Sequence, residues 1–290
     1  RVYKDRGIIE SSPGVPFTLV TPYLVADLFE LKFTQSADVL YITHPDYAPR
    51  KLTRASHTSW SISIISFQDG PYLPANSSAT TLTLSATSGS VTVTASASLF
   101  ASTDVGRLIR FKSTGSTWGW LTITAYTSAT QVTATVQRSP AAATASADWR
   151  LGLWSETTGW PSCVTFFEDR LFFAGNALRP QRIDGSIVGD YENFAPSASD
   201  GVVADDNALA ASLNANDVNV IRWMIDDEKG LLVGTVSGEW MVRPSSLQEA
   251  MTPTNITAKR STAFGSANLQ AIRTGKASLY VQRASRKARE

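Results

Sequence analysis

Few side chains in this sequence could carry chemistry. His44 and His57 are its two histidines. Paired imidazoles suit a metal ion, but neither has a second ligand at i, i+4 spacing and no cysteine accompanies them. His44 also precedes a proline in the turn His44-Pro45-Asp46-Tyr47, so both read as structural or surface residues. The carboxylates of Glu168-Asp169 and Asp226-Asp227-Glu228 could act as acid and base. Each group falls in a hairpin turn, where solvated acidic residues are ordinary, and a glycoside-cleaving role would require them to converge in a pocket. Residues 200–207, DGVVADDN, have the flavour of a calcium loop but lack its alternating ligands and terminal glutamate, so they read as a solvated loop. Cys163, the single cysteine, opens an apolar strand and reads as a small buried hydrophobe. There is no phosphate-cradling glycine loop, no G-x-S-x-G elbow and no coherent Ser/His/Asp set. No residue is therefore assigned a catalytic, cofactor-binding or metal-ligating role, and no cofactor is expected.

Two basic clusters could face nucleic acid: Arg50, Lys51 and Arg54, and Arg283, Arg286, Lys287 and Arg289. Short charge runs are more commonly solvated faces, and that reading is preferred. Trp118, Trp120, Trp154 and Trp160 could stack on sugars, but they fill barrel and strand cores more simply.

These residues are positioned by a repeated hairpin. The clearest copy is Cys163 to Ile187. Val164–Phe167 is β-branched and aromatic, Glu168-Asp169 turns the chain, and Leu171-Phe172-Phe173 returns. Gln181–Ile187 makes a third strand. Other copies centre on the apolar triplets Leu40-Tyr41-Ile42, Leu231-Leu232-Val233 and Leu279-Tyr280-Val281, each after a polar turn. Unbroken apolar triplets suggest strands buried on both faces. The last two intervals are roughly 50 to 60 residues, a period that indicates a solenoid, propeller or array.

The first interval is more than twice as long. Between Ser77 and Ala147 the composition shifts to Thr, Ser, Ala and Val, with short strands at 80–84, 91–95, 118–125 and 131–136 and a turn and strand at 100–110. That pattern predicts a small barrel or sandwich inserted in a loop. The expected fold is all-β: a partial β-propeller-like repeat of antiparallel blades (1–70 and 155–290) interrupted by a small β-barrel or sandwich domain (71–154). Short helical turns are expected at 25–31, with Thr21 as cap and Pro22 at the first position, and near 209–213 and 247–250. Residues 195–216 read as a long exposed connection.

The chain has 290 residues and a net charge of +1, so neither a nucleic-acid nor a membrane partner is demanded. No run approaches about 20 apolar residues, so no transmembrane helix is expected, and no signal-peptide pattern is visible. The chain begins at Arg1 and its fourth copy lacks an outer strand, so the expectation is a segment cut at both ends from a longer polypeptide, its ring completed outside 1–290.

Three segments carry a resemblance: Phe33–Arg54 (FTQSADVLYITHPDYAPRKLTR), HTSWSI, and Phe166–Phe194 (FFEDRLFFAGNALRPQRIDGSIVGDYENF). Together they resemble the tail nozzle, or tail tubular protein B, family of short-tailed bacteriophages. The insert, with FASTDVGRLIRF and WGWLTITAYTSATQVTATV, is similar to a small β-barrel module first named from ubiquitin-activating enzymes. The first resemblance implies a non-enzymatic, propeller-containing structural protein of the virion tail. It would form a homo-oligomeric ring, six-fold by expectation, around the DNA ejection channel. Its neighbours would be the portal adaptor and tail fibre or spike proteins, with DNA passing through without sequence specificity. The alternative is a carbohydrate-binding or glycan-degrading tail component. SETTGW, residues 155–160, resembles the Asp-box of sialidase-type propellers only in outline: Thr157 stands where the aspartate belongs and Trp160 follows Gly159 directly, so it reads as a chance match.

Overall fold

A computed structural model describes residues 2–4, 6–115, 117–214, 219–246 and 248–290. Two short hairpins lead the chain: β1 (Tyr3–Lys4) with β2 (Gly7–Ile8), and β3 (Glu10–Ser12) with β4 (Val15–Pro16). The helix expected over 25–31 is one 3-10 turn, Val25–Asp27. Its side chains bury no apolar face, and short helices form in water only with such packing.

The first four-stranded sheet is a meander of β5 (Lys32–Ser36), β6 (Val39–His44), β7 (Tyr47–Ser56) and β8 (Ser59–Ile64). The chain then builds a separate six-stranded sheet from β9 (Leu82–Leu84), β10 (Ser90–Ala95), β11 (Leu108–Phe111), β12 (Gly119–Ser128), β13 (Gln131–Arg138) and β14 (Trp149–Leu151). Two more meanders follow. One is β15 (Cys163–Phe167), β16 (Arg170–Ala174), β17 (Arg182–Gly185) and β18 (Leu209–Ser212). The other is β19 (Ile221–Asp227), β20 (Gly230–Thr235), β21 (Glu239–Arg243) and β22 (Thr257–Thr262). A three-stranded sheet closes the chain: β23 (Ile272–Thr274), β24 (Ala277–Val281) and β25 (Ala288–Arg289).

The apolar triplets fall in the second strand of each meander: β6, β16, β20 and β24. Only Leu171-Phe172-Phe173 is completely buried; Leu40, Leu232 and Leu279 are half-buried. The meanders pack like blades. β15 lies against both β5 and β19, and β19 touches β23, so the first strands of successive sheets run side by side. Apolar cores fill the gaps between sheets. Tyr41, Val164, Leu171 and Phe173 join the first and second, Phe172, Ile183, Met224 and Val233 the second and third, and Trp223, Ala271 and Tyr280 the third and fourth. Two cross-strand glycines make this packing possible. Gly185 lies under the Phe172 ring and Gly234 under the Trp223 ring, with no room for a Cβ at either.

Between the fourth and first sheets the link is polar. Gln270 donates from Nε2 to Phe33 O at 2.8 Å and accepts the Phe33 N–H on Oε1 at 3.2 Å. Lys32 Nζ donates to Asn268 Oδ1 at 2.8 Å.

The inserted sheet runs β14-β11-β12-β13-β10-β9 and curls around a core of Val93, Ile109, Phe111, Leu121 and Val132. One passage of chain serves both of its edges. Residues 143–146 bond to β9 through Leu82, Ser146 and Leu84, while Trp149–Leu151 pair with β11. The sheet thereby has no free edge at that side, which is the way barrels avoid unpaired strands.

Three sequence expectations need correction or placement. In the stretch 209–213, residues 209–212 form strand β18 and not a helical turn, because β17 offers an unpaired edge and Leu209 is buried by pairing there. Of the turn expected at 247–250, Leu247 lies outside the described residues, 248 and 249 are turn and bend, and 250 is irregular. Residues 195–214 are not a plain exposed connection, since they hold β18 and the loop described next; 215 and 216 lie outside the described residues.

Candidate functional site

Hairpin β15–β16 turns at Glu168 (φ 45°) and Asp169 (φ 54°), the two consecutive left-handed residues a tight hairpin favours. Neither carboxylate is free. Glu168 Oε2 accepts the Met251 N–H of the third sheet at 2.7 Å, and Asp169 Oδ1 accepts the Tyr191 hydroxyl at 2.6 Å. In hairpin β19–β20, Asp226 pairs with Arg273 of the fourth sheet at 2.7 Å, and Asp227 caps Lys229 N at 3.2 Å. Glu168 and Asp226 thus reach from one sheet to the next, while Asp169 and Asp227 brace their own.

Arg170, next in sequence to Asp169, is fully buried on β16. Its guanidinium donates to four carbonyls: Ser186 O and Asn207 O at 2.7 Å and Asp206 O at 3.1 Å from Nη1, and Asp205 O at 2.7 Å from Nη2. The 200–207 loop is therefore wrapped around a cation, but the cation is the protein's own guanidinium. Burial holds the Arg170 pKa below the ordinary arginine value, opposed by Asp206 and Glu168. Around it opens a cleft of about 850 Å³ lined by Glu168, Asp205, Asp206, Glu249 and Met251. The fold thus brings together two candidates separated in sequence, the Glu168 turn and the 200–207 loop. Glu249 accepts Asn255 Nδ2 at 2.5 Å.

The histidines do not meet. His44 ends β6 and His57 sits in the turn after β7, so they lie at opposite ends of β7, a ten-residue strand about 30 Å long. His44 is buried, accepts the Asp46 N–H on Nδ1 at 3.1 Å and stands edge-on to Tyr47. His57 is exposed beside Lys4 Nζ at 3.0 Å. Among the described residues, no three His, Cys, Asp or Glu side chains gather as metal ligands. Cys163 is fully buried, and burial raises its thiol pKa. In SETTGW, Thr157 donates to Asp104 Oδ1 and Asn176 donates to Thr158 O and Gly159 O, so the motif stitches the insert to the second sheet.

In the first basic cluster Lys51 pairs with Glu192 and Arg54 with Asp38, both at 2.6 Å, while Arg50 is half-buried and its buried Nε makes no hydrogen bond. In the second, Arg289 lies over the Phe264 ring at 4.0 Å, while Arg283, Arg286 and Lys287 are exposed.

A third basic group was not singled out from sequence. Across the outer face of the inserted sheet, Arg150, Arg110, Trp120 and Arg138 stand directly opposite one another on β14, β11, β12 and β13. Arg110 and Lys112 flank the Trp118 ring at 5.2 and 5.0 Å. Like charges facing each other across a sheet repel. The relief is Asp69, buried, which pairs with Arg138 and Arg110 and accepts the Tyr72 hydroxyl at 2.8 Å. Arg110 also donates to Ser197 Oγ at 2.7 Å. Burial, followed by Asp69, drives the Tyr72 pKa well above the usual phenol value. Trp118 and Trp120 therefore sit outside the barrel core, half-buried among cations, and Trp154 is buried in the junction with the second sheet. Strand register alone aligns these side chains, and register is not visible before the pairing is known.

No protein-family model matches this chain, and no curated protein matches it. Among solved structures, the phage phi92 endosialidase is similar, with a TM-score of 0.31 and 13% identity over 92% of this chain and 43% of that one. This chain thus spans less than half of that protein's length.

A second cleft, of about 450 Å³, lies between the first sheet and the insert, walled by Pro49, Ile64, Phe67, Val105, Trp154 and Trp160. Glu156 Oε1 accepts the Trp160 indole N–H at 3.0 Å. Among the described residues no helix is long and apolar enough to cross a membrane.

Proposed function

We propose that the chain is a structural, non-enzymatic component of a phage tail, a segment of a nozzle or hub that assembles as a ring around a DNA conduit. The observation that supports this is how the reactive groups are used. Glu168, Asp226 and Lys51 each tie one sheet to a different one, and Arg170 anchors a loop on four carbonyls. A side chain held in a structural bond is poorly placed to turn over a substrate, whereas rigid sheets suit a scaffold. The resemblance of 33–54 and 166–194 to the tail-nozzle family supports placing this scaffold in the tail. Imaging the particle tail and the purified full-length protein tests the reading: a closed, six-fold ring on the tail axis is expected, and a trimeric spike off the axis overturns it.

A second reading has one observation in its favour, the carboxylate-lined cleft at Glu168, Asp205, Asp206 and Glu249. Acidic walls repel anionic glycans and suit neutral sugars, with the two carboxylates of a glycosidase as the chemistry. Release of reducing ends from a neutral host polysaccharide, abolished in Glu168→Gln and Glu249→Gln, would establish it in place of the scaffold.

A further inference from the structure

Five large apolar side chains stand in solvent between residues 20 and 29: Val20, Leu24, Val25, Leu28 and Phe29, with Val25 83% and Phe29 85% exposed. Exposed apolar residues scattered singly need no explanation, but a contiguous group marks a contact surface. This segment is held in shape. Asp27 Oδ2 accepts the Leu24 N–H at 2.7 Å and the Tyr47 hydroxyl at 2.8 Å, and Tyr23 packs edge-on against Tyr47. Residues 7–31 contain no Lys or Arg and carry Glu10, Asp27 and Glu30.

A surface of opposite character lies on the fourth sheet. Phe264, Leu269 and Ile272 are 46%, 44% and 61% exposed. Residues 264–290 hold six cations (Arg273, Lys276, Arg283, Arg286, Lys287, Arg289), of which Arg273 is already paired with Asp226, and one carboxylate, Glu290. Both surfaces are exposed in the same chain, so they do not cover each other within it.

We propose that residues 20–30 of one copy dock on the fourth sheet of the next copy, acidic apolar segment on basic apolar sheet. This rests on the ring reading in taking the partner to be a second copy. The contact is head to tail, so its repetition closes a ring or extends a filament. Charge complementarity sets the register, and burial of Val25 and Phe29 against Leu269 and Ile272 supplies the affinity.

Sedimentation of the 290-residue chain across a concentration series tests this, with a segment variant (Val25→Asp with Phe29→Asp) and a sheet variant (Leu269→Asp with Ile272→Asp). All four positions are exposed, so folding should persist; Glu30→Lys provides a milder third probe whose weakening should fade at high salt. The parent should self-associate, and each double variant should lose about a hundredfold in affinity. An equimolar mixture of the two double variants should form a dimer and nothing larger, because one intact pair of surfaces remains. A parent that stays monomeric, variants that assemble like the parent, or a mixture that fails to recover the dimer overturns the docking. A ring on the particle that survives both variants would overturn this interface and leave the ring itself standing.

Discussion

The carboxamide of Gln270 bonds both backbone groups of Phe33, taking the place of a neighbouring strand along β5. It is the polar clasp between the last sheet and the first, where apolar cores join the other sheets.

Gln270→Ala should therefore loosen one seam and leave the rest intact. The Phe33 amide should exchange with deuterium about fivefold faster, as expected when a bond worth about 1 kcal/mol is lost from a half-exposed edge. Amides of β16 and β20 should be unaffected. Equal acceleration in all sheets would show that the seams are not independent.

Arg170→Met should be among the most damaging single changes. It strands four carbonyls in a buried site, at about 1–3 kcal/mol for each group left unsatisfied, partly relieved by water. A loss of about 3 kcal/mol or more in thermal or denaturant unfolding is expected, with new proteolytic cuts in 200–207. Arg170→Lys should rescue little, because an ammonium cannot span the same fork of acceptors.

Asp69→Asn should unsettle the insert more than the sheets it sits beside. Arg110 is buried and would keep its charge with its carboxylate gone, a change that typically costs about 3–5 kcal/mol. The expected signature is a separate, earlier unfolding transition of 73–151, followed by tryptophan fluorescence from Trp118. A single unshifted transition would refute the role given to Asp69.

Stability should fall in alkali. The Tyr41 pKa is pushed up to about 12, by burial first and then by Glu192, and burial followed by Asp69 raises that of Tyr72 well above the ordinary phenol value. The folded chain then holds protons that the unfolded chain releases near pH 10. The contribution is whole below pH 10 and is lost as pH climbs toward 12. Phenolate absorbance should show these tyrosines titrating late and together with unfolding. Tyr41→Phe with Tyr72→Phe should flatten the alkaline slope.

The repeat was legible because burial leaves a mark in sequence. Leu171-Phe172-Phe173 and its three counterparts lie in equivalent strands, and the polar turns lie where the chain reverses. Strand β18 was not legible: Leu209 and Leu213 are spaced for a helix, and only the vacant edge of β17 decides otherwise. The Arg170 cage left no mark, since a lone arginine after a turn looks solvated until the loop 35 residues later folds over it. The row from Arg150 to Arg138 is likewise created by pairing strands distant in sequence. Candidate acids were visible as types, but their partners Met251, Tyr191 and Arg273 lie on other elements and follow from tertiary structure alone.

The inserted sheet leaves and rejoins the wheel at one doorway. Tyr72 bridges Gly152, Leu73 N–H donates to Leu151 O at 2.8 Å, and Leu153 N–H donates to Pro71 O at 2.8 Å. Two chain ends already lying side by side can be spliced with hardly any linker. The module is in effect a detachable cassette, and a different small domain with adjacent termini could be exchanged for it, provided the replacement offers Asp69 a cation.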